Sequence, residues 1–133
     1  MSIAAYKTTI RESESPRQIE RRIIARITAG LSRHAEAYDG AESATARSMI
    51  MAEGLMSDLL DNQKLWNELR FDLASPENAL PAELRAGLIS LAFWVDRQTS
   101  TVLGGSAGVG ALVRINSSVA AGLAGQAPEG AVA

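Results

Sequence analysis

Two prolines, Pro76 and Pro81, divide the stretch from Asp61 to Leu103 into two amphipathic helical patterns, and this division constrains the fold more than any other feature of the chain. A residue before proline avoids the α region, so Ser75 marks the end of one helix. Pro81, with its preset φ and missing donor, is placed to open the next. The connector from Ser75 to Leu80 therefore reads as a fixed elbow between two helices that must pack against each other. On the far side Leu84, Leu88, Leu91, Val95 and Val102 share one face of a helix expected from about Pro81 to Leu103, stopped by Gly104 and Gly105. Ile89, Phe93 and Trp94 lie off that stripe, so between Leu88 and Val95 the helix is apolar almost all round. That pattern belongs to a central helix or to one that meets partners on two sides.

The same periodicity recurs on both sides. Ser15, Pro16 and Gln18 carry start chemistry for a first helix, in which Ile19, Ile23, Ile27 and Leu31 recur every four residues with Ile24 beside them. His34 and Tyr38 continue that face, and His34 is read as a helix-end histidine meeting a carbonyl. Asp39-Gly40 marks a turn. A second helix from about Ala41 to Leu60 carries Met49, Ala52, Leu55, Met56, Leu59 and Leu60 at helical spacing. Asp61 and Asn62 offer cap chemistry before Leu65, Trp66, Leu69 and Leu73, which favours a break between a second and a third helix there. Leu112, Ile115, Val119 and Leu123 suggest a short fifth helix with Asn116 near its apolar face, beyond a glycine-rich hinge from Gly104 to Gly110. The expected fold is all-α, a compact bundle of four to five helices over residues 1–124. Residues 125–133 form a tail with too few bulky apolar groups to repay ordering.

Asn62, Leu65-Trp66, Asp72-Leu73-Ala74, Pro76, Asn78, Leu80-Pro81, Leu84-Arg85-Ala86 and the run from Leu88 to Val95 together resemble the FlaF family of flagellar biosynthesis regulators. The likeness continues more loosely through Ala5-Tyr6, Pro16-Arg17 and Glu20 before that stretch, and Ile115-Asn116 and Gly122-Leu123 after it. No tripeptide is diagnostic alone; the ordered set Trp66, Pro76, Pro81 and Asn116 is fairly specific. The chain departs from the pattern in the glycine-rich Gly104 to Gly110 and at Ser117-Ser118. The resemblance implies a small cytoplasmic factor needed for flagellin production and export, acting on flagellin as a chaperone-like partner or through control of its synthesis.

The inventory of reactive groups argues against catalysis. The chain has no cysteine and one histidine, so it lacks a thiol nucleophile, a disulfide framework and the common zinc ligand sets. The GGSAGVG segment has no P-loop lysine and follows no strand. Carboxylate pairs such as Asp58 with Asp61 and Glu68 with Asp72 read as solvated helix faces. No enzyme, cofactor or metal is expected. The longest uninterrupted apolar run, Leu91 to Val95, falls far short of the roughly 18 residues a membrane span requires, and no signal-type segment opens the chain. A soluble, cytoplasmic location is expected.

Three binding readings remain. Residues 1–34 hold seven basic groups against three acidic ones, whereas residues 35–133 hold six against twelve. Arg22, Arg26 and Arg33 line one flank of the first helix and could meet RNA or an acidic partner. No aromatic interleaves with that row to stack bases, which disfavours nucleic acid. The favoured reading is a groove for an amphipathic helix, with flagellin as the partner the resemblance implies. Its expected contacts are Trp66, Leu69, Ile89, Phe93 and Trp94, against the alternative that Trp66 and one of Phe93 or Trp94 pack in the core. A second flagellar regulator is a further candidate partner, and self-association through the same patch a third option.

Overall fold

In a computed structural model that describes residues 16–123, five α-helices and one wide π-type turn follow one another, with no strand among the described residues. They are α1 (Pro16–Gly40), α2 (Ala44–Ile50), the turn Met51–Leu55, α3 (Met56–Ala74), α4 (Ala82–Leu103) and α5 (Val109–Leu123). Residues 1–15 and 124–133, including Ser15 and the expected tail, lie outside the described residues.

The helices form an all-α bundle of two intimate pairs, α1 with α5 and α3 with α4, joined mainly where α1 meets α3. Each long helix buries a stripe spaced alternately by three and four residues, the pattern that keeps one face turned to a neighbouring helix. In α3 that stripe is Leu59, Asn62, Trp66 and Leu73, with Leu69 half-buried against the same core. In α4 it is Ala92, Val95, Thr99 and Val102. In α1 it is Ile24, Ile27, Leu31 and Tyr38.

These stripes correct several expectations. Ile23 is more exposed than its neighbour Ile24, and Leu84 is exposed while Ala92 and Thr99 take buried places on α4. The reason is that the expected stripes followed the largest side chains, at four-residue steps in α1, whereas the helices turn alternating three-four faces inward and admit small residues at close approaches. Thr99 remains satisfied because its hydroxyl donates to the Val95 carbonyl at 2.7 Å. Met49, Met56 and Leu60 are likewise exposed, and the buried members of that segment are Met51, Leu55 and Leu59.

The break between the second and third helices also falls elsewhere. The chain runs unbroken through Asp61 and Asn62 and turns earlier, at Gly54, whose φ of 135° and ψ of −17° leave the helical region. A positive φ costs glycine little and other residues much, so this bend is set by one residue rather than by cap chemistry. A Cβ at Gly54 would stand 3.5 Å from His34 Nε2, and His34 in turn faces the Asp58 carboxylate at 3.9 Å. His34 thus meets an acidic side chain across the α1–α3 junction and not the helix-end carbonyl expected for it.

The elbow after α3 is tied by its own polar side chains. The Ser75 hydroxyl accepts from the Glu77 amide at 3.2 Å, the Asn78 amide nitrogen donates to the Asp72 carboxylate at 3.2 Å, and Asn78 Oδ1 accepts from the Leu80 amide at 3.0 Å. Pro81 sits one residue outside α4, its carbonyl accepting the Arg85 amide at 2.9 Å.

The glycine-rich segment before α5 is clasped, in contrast to the hinge expected of it. The Asp39 carboxylate, at the end of α1, accepts from the backbone amides of Gly108 (2.8 Å), Val109 (2.9 Å) and Gly110 (2.9 Å). It supplies the N-terminal cap of α5 from about seventy positions away in sequence. Arg47 donates to the Tyr38 carbonyl at 3.1 Å and to the Gly105 carbonyl at 2.9 Å, and the Tyr38 hydroxyl donates to the Val102 carbonyl at 2.7 Å. Glycine backbone that would wander on its own is held here by charge and hydrogen bonds from α1 and α2, and α5 starts at Val109, earlier than its apolar spacing alone suggested.

Candidate partner-binding surface

Beneath the surface lies a polar cluster that fixes the helices behind it. Trp66 Nε1 donates to Asn116 Oδ1 at 2.9 Å, and Asn116 Nδ2 donates to Asn62 Oδ1 at 2.8 Å and to Thr28 Oγ1 at 3.0 Å. Asn62, Trp66 and Asn116 are buried. Such groups in a low-dielectric core demand particular partners at particular positions, so the cluster sets the relative register of α1, α3 and α5. Trp66, expected as a surface anchor, is 3% exposed and belongs to this cluster. Its one polar atom is occupied by Asn116, leaving nothing of the side chain for a partner to grip.

The other four expected contacts divide. Leu69 and Trp94 are partly buried and pack against the core, Ile89 is half-buried, and Phe93 is 47% exposed. Of the Phe93 and Trp94 pair, the tryptophan therefore turns inward and the phenylalanine outward. The guanidinium of Arg70 lies 4.9 Å from the centre of the Phe93 ring, an arrangement that offsets part of the exposure of an aromatic face. One residue further along α3, Phe71 is 84% exposed, the highest value of any large apolar side chain described. Gln63 donates to Asp96 at 3.1 Å, so α3 and α4 are bridged at both levels of this outer face.

Phe71 and Arg70 were not singled out from the sequence. The available signal was Phe71's position: it sits roughly 140° around the helix from Trp66, opposite the buried stripe, where an aromatic is out of place. The Arg22, Arg26 and Arg33 side chains are exposed on α1. Among the described residues no group of three or more histidines, aspartates or glutamates is placed to hold a metal, and no helix is long and apolar enough to cross a membrane.

Helices locked by a buried polar cluster, with aromatic side chains left on an outer face, define a helical scaffold whose distinctive surface is apolar. The chain belongs to the FlaF family: the family model described as "Flagellar protein FlaF" matches residues 2–123, which makes this a flagellar protein. No curated protein and no solved structure gives a significant match to it.

Proposed function

We propose that this protein is a cytoplasmic, non-enzymatic flagellar factor that binds flagellin in a chaperone-like manner and promotes its production and export. Family membership supports the flagellar setting. The observation that carries the binding reading is the apolar outer face of α3 and α4, where Phe93 and Phe71 flank Arg70 and Ile89 lies half-covered beside them. An aromatic fully desolvated by a partner contributes about 2 kcal/mol or more, so the two together supply about 4 kcal/mol or more toward holding an amphipathic helix. The terminal segments of flagellin, helical in the assembled filament, are the expected client.

Co-purification with full-length and end-truncated flagellin, with and without ribonuclease, tests this. A stoichiometric complex that survives ribonuclease and is lost on Phe93→Ser supports it; absence of any complex overturns it. Post-transcriptional control of flagellin synthesis, through messenger RNA or with a second regulator, is the second reading, favoured by the exposed row Arg22, Arg26 and Arg33. Under that reading binding falls steeply with salt and is abolished by Arg22→Glu with Arg26→Glu.

A further inference from the structure

Charge on the outer face of α3 and α4 runs against that of the chain around it. Residues 35–133 hold six basic groups against twelve acidic ones, yet three of the six, Lys64, Arg70 and Arg97, are gathered here. Lys64 and Arg70 line a shallow depression on α3 together with Glu68, and Arg97 is exposed one turn along α4 from Phe93. Glu68 stands one turn from Lys64 and balances it, and Asp96 is engaged by the Gln63 amide at 3.1 Å. Arg70 is left with no carboxylate at ion-pair distance among the described residues. Its guanidinium lies over the Phe93 ring, 4.9 Å from the centre, and is steadied by Asn67, whose Oδ1 accepts from Nη2 at 3.3 Å. A guanidinium held against an aromatic face keeps most of its in-plane N–H groups open, in the fork that matches both oxygens of a carboxylate.

We propose that Arg70 is a carboxylate receptor within the partner surface, so that the helix docking on Phe93 carries an acidic side chain beside its apolar stripe. This rests on the reading above that the apolar face takes an amphipathic helix. Covering Phe93 with a partner also covers the guanidinium that lies over it, and a cation taken out of water without a counter-charge is strongly disfavoured. A helix that brings its own anion avoids that penalty. An uncharged apolar helix strands Arg70, and a basic one is repelled by both Arg70 and Arg97. The face thus sorts partners by charge as well as by apolar area, with Phe93 as the anchor and Arg70 as the discriminator.

The test uses the full chain and three synthetic helical peptides of about 18 residues, long enough to hold a helix. They share one leucine stripe and differ only in the residues flanking it, which are Glu, Gln or Lys; binding is read by fluorescence anisotropy at low salt. The Glu peptide should bind about 5-fold or more tighter than the Gln peptide, the Lys peptide should bind weakest, and the preference should fade as salt is raised. Arg70→Gln should remove the preference while leaving affinity for the Gln peptide no weaker, and Arg70→Glu should favour the Lys peptide over the Glu peptide. Phe93→Ser should weaken all three alike. Equal binding of the Glu and Gln peptides, or a Glu preference that survives Arg70→Gln, overturns the proposal and leaves the apolar face standing; binding of none of the three overturns both. A Glu preference in a chain that forms no complex with flagellin keeps the carboxylate receptor and removes only flagellin as its client.

Discussion

Replacing Asp39 tests most directly how the bundle is held, because one carboxylate there accepts three backbone amides from a helix remote in sequence. Oδ1 takes Gly108 and Val109, and Oδ2 takes Gly110. Removing an N-cap acceptor costs about 1–2 kcal/mol, and losing a negative charge at the positive end of a helix adds up to about 1 kcal/mol at a partly exposed site. Asp39→Ala should therefore destabilise by about 2–3 kcal/mol. Asp39→Asn keeps an oxygen for two amides but turns an NH₂ toward the third, so it should cost about half as much. For a chain of this size the Ala variant corresponds to a fall in Tm on the order of 10 °C, read by far-ultraviolet circular dichroism.

The pH dependence sharpens the test. Partial burial works against the charged form of Asp39, but the amides of Gly108, Gly110 and Val109, together with nearby Arg47, outweigh it and hold the carboxyl below its ordinary value. A carboxylate whose pKa is lowered on folding contributes stability above its unfolded pKa of about 4 and loses it as the pH falls through the folded value. The difference in stability between the wild type and Asp39→Asn should thus be constant from neutral pH down to about 5 and shrink below about 4. Equal stability of wild type and Asp39→Ala at neutral pH, within about 0.5 kcal/mol, would refute the clasp as an energetic element.

Other substitutions probe the remaining links. Asn116→Leu keeps the volume but strands Trp66 Nε1 and the Asn62 carbonyl oxygen in the core, and should cost about 2–4 kcal/mol in urea denaturation. Gly54→Ala forces a Cβ into a backbone with φ of 135° and should cost about 1–3 kcal/mol, measured the same way. Phe93→Ser should change Tm little while reducing flagellin retention on an affinity resin about 10-fold or more; Trp94→Ser, which removes a side chain packed on the core, should lower Tm first.

What could be read from the sequence was what each helix decides by itself. The proline-marked elbow and the four-residue recurrences give helices, and the boundary near Leu103 follows from Gly104. Which side of a helix is buried depends on its neighbour, and there the largest side chains misled: Leu84 and Ile23 are turned out, while Ala92 and Thr99 are turned in. The clasp was invisible for a related reason. Asp39 reads locally as part of a turn, and nothing in its surroundings announces that its oxygens belong to α5. Gly104 to Gly110 likewise reads as loose because its constraints come from Asp39 and Arg47.

The candidate surface was legible to a different degree, and the reason separates folding residues from binding residues. Trp66 and Asn116, which helped to identify the family from sequence, meet at 2.9 Å in the core, with Asn62 joined to the same amide. Their spacing in the chain is a consequence of α3 and α5 lying side by side, so these residues explain why the bundle keeps its register and say nothing about what it binds. Once Trp66 is withdrawn to that cluster, the aromatic side chains left for recognition are Phe93, against Arg70 where α4 meets α3, and Phe71, on the side of α3 turned away from the buried stripe. If burial of aromatic area drives recognition, Phe93→Ser and Phe71→Ser must each weaken flagellin binding while leaving the melting transition intact. If instead the polar cluster were the recognition element, Asn116→Leu would abolish binding in molecules that remain folded at low temperature.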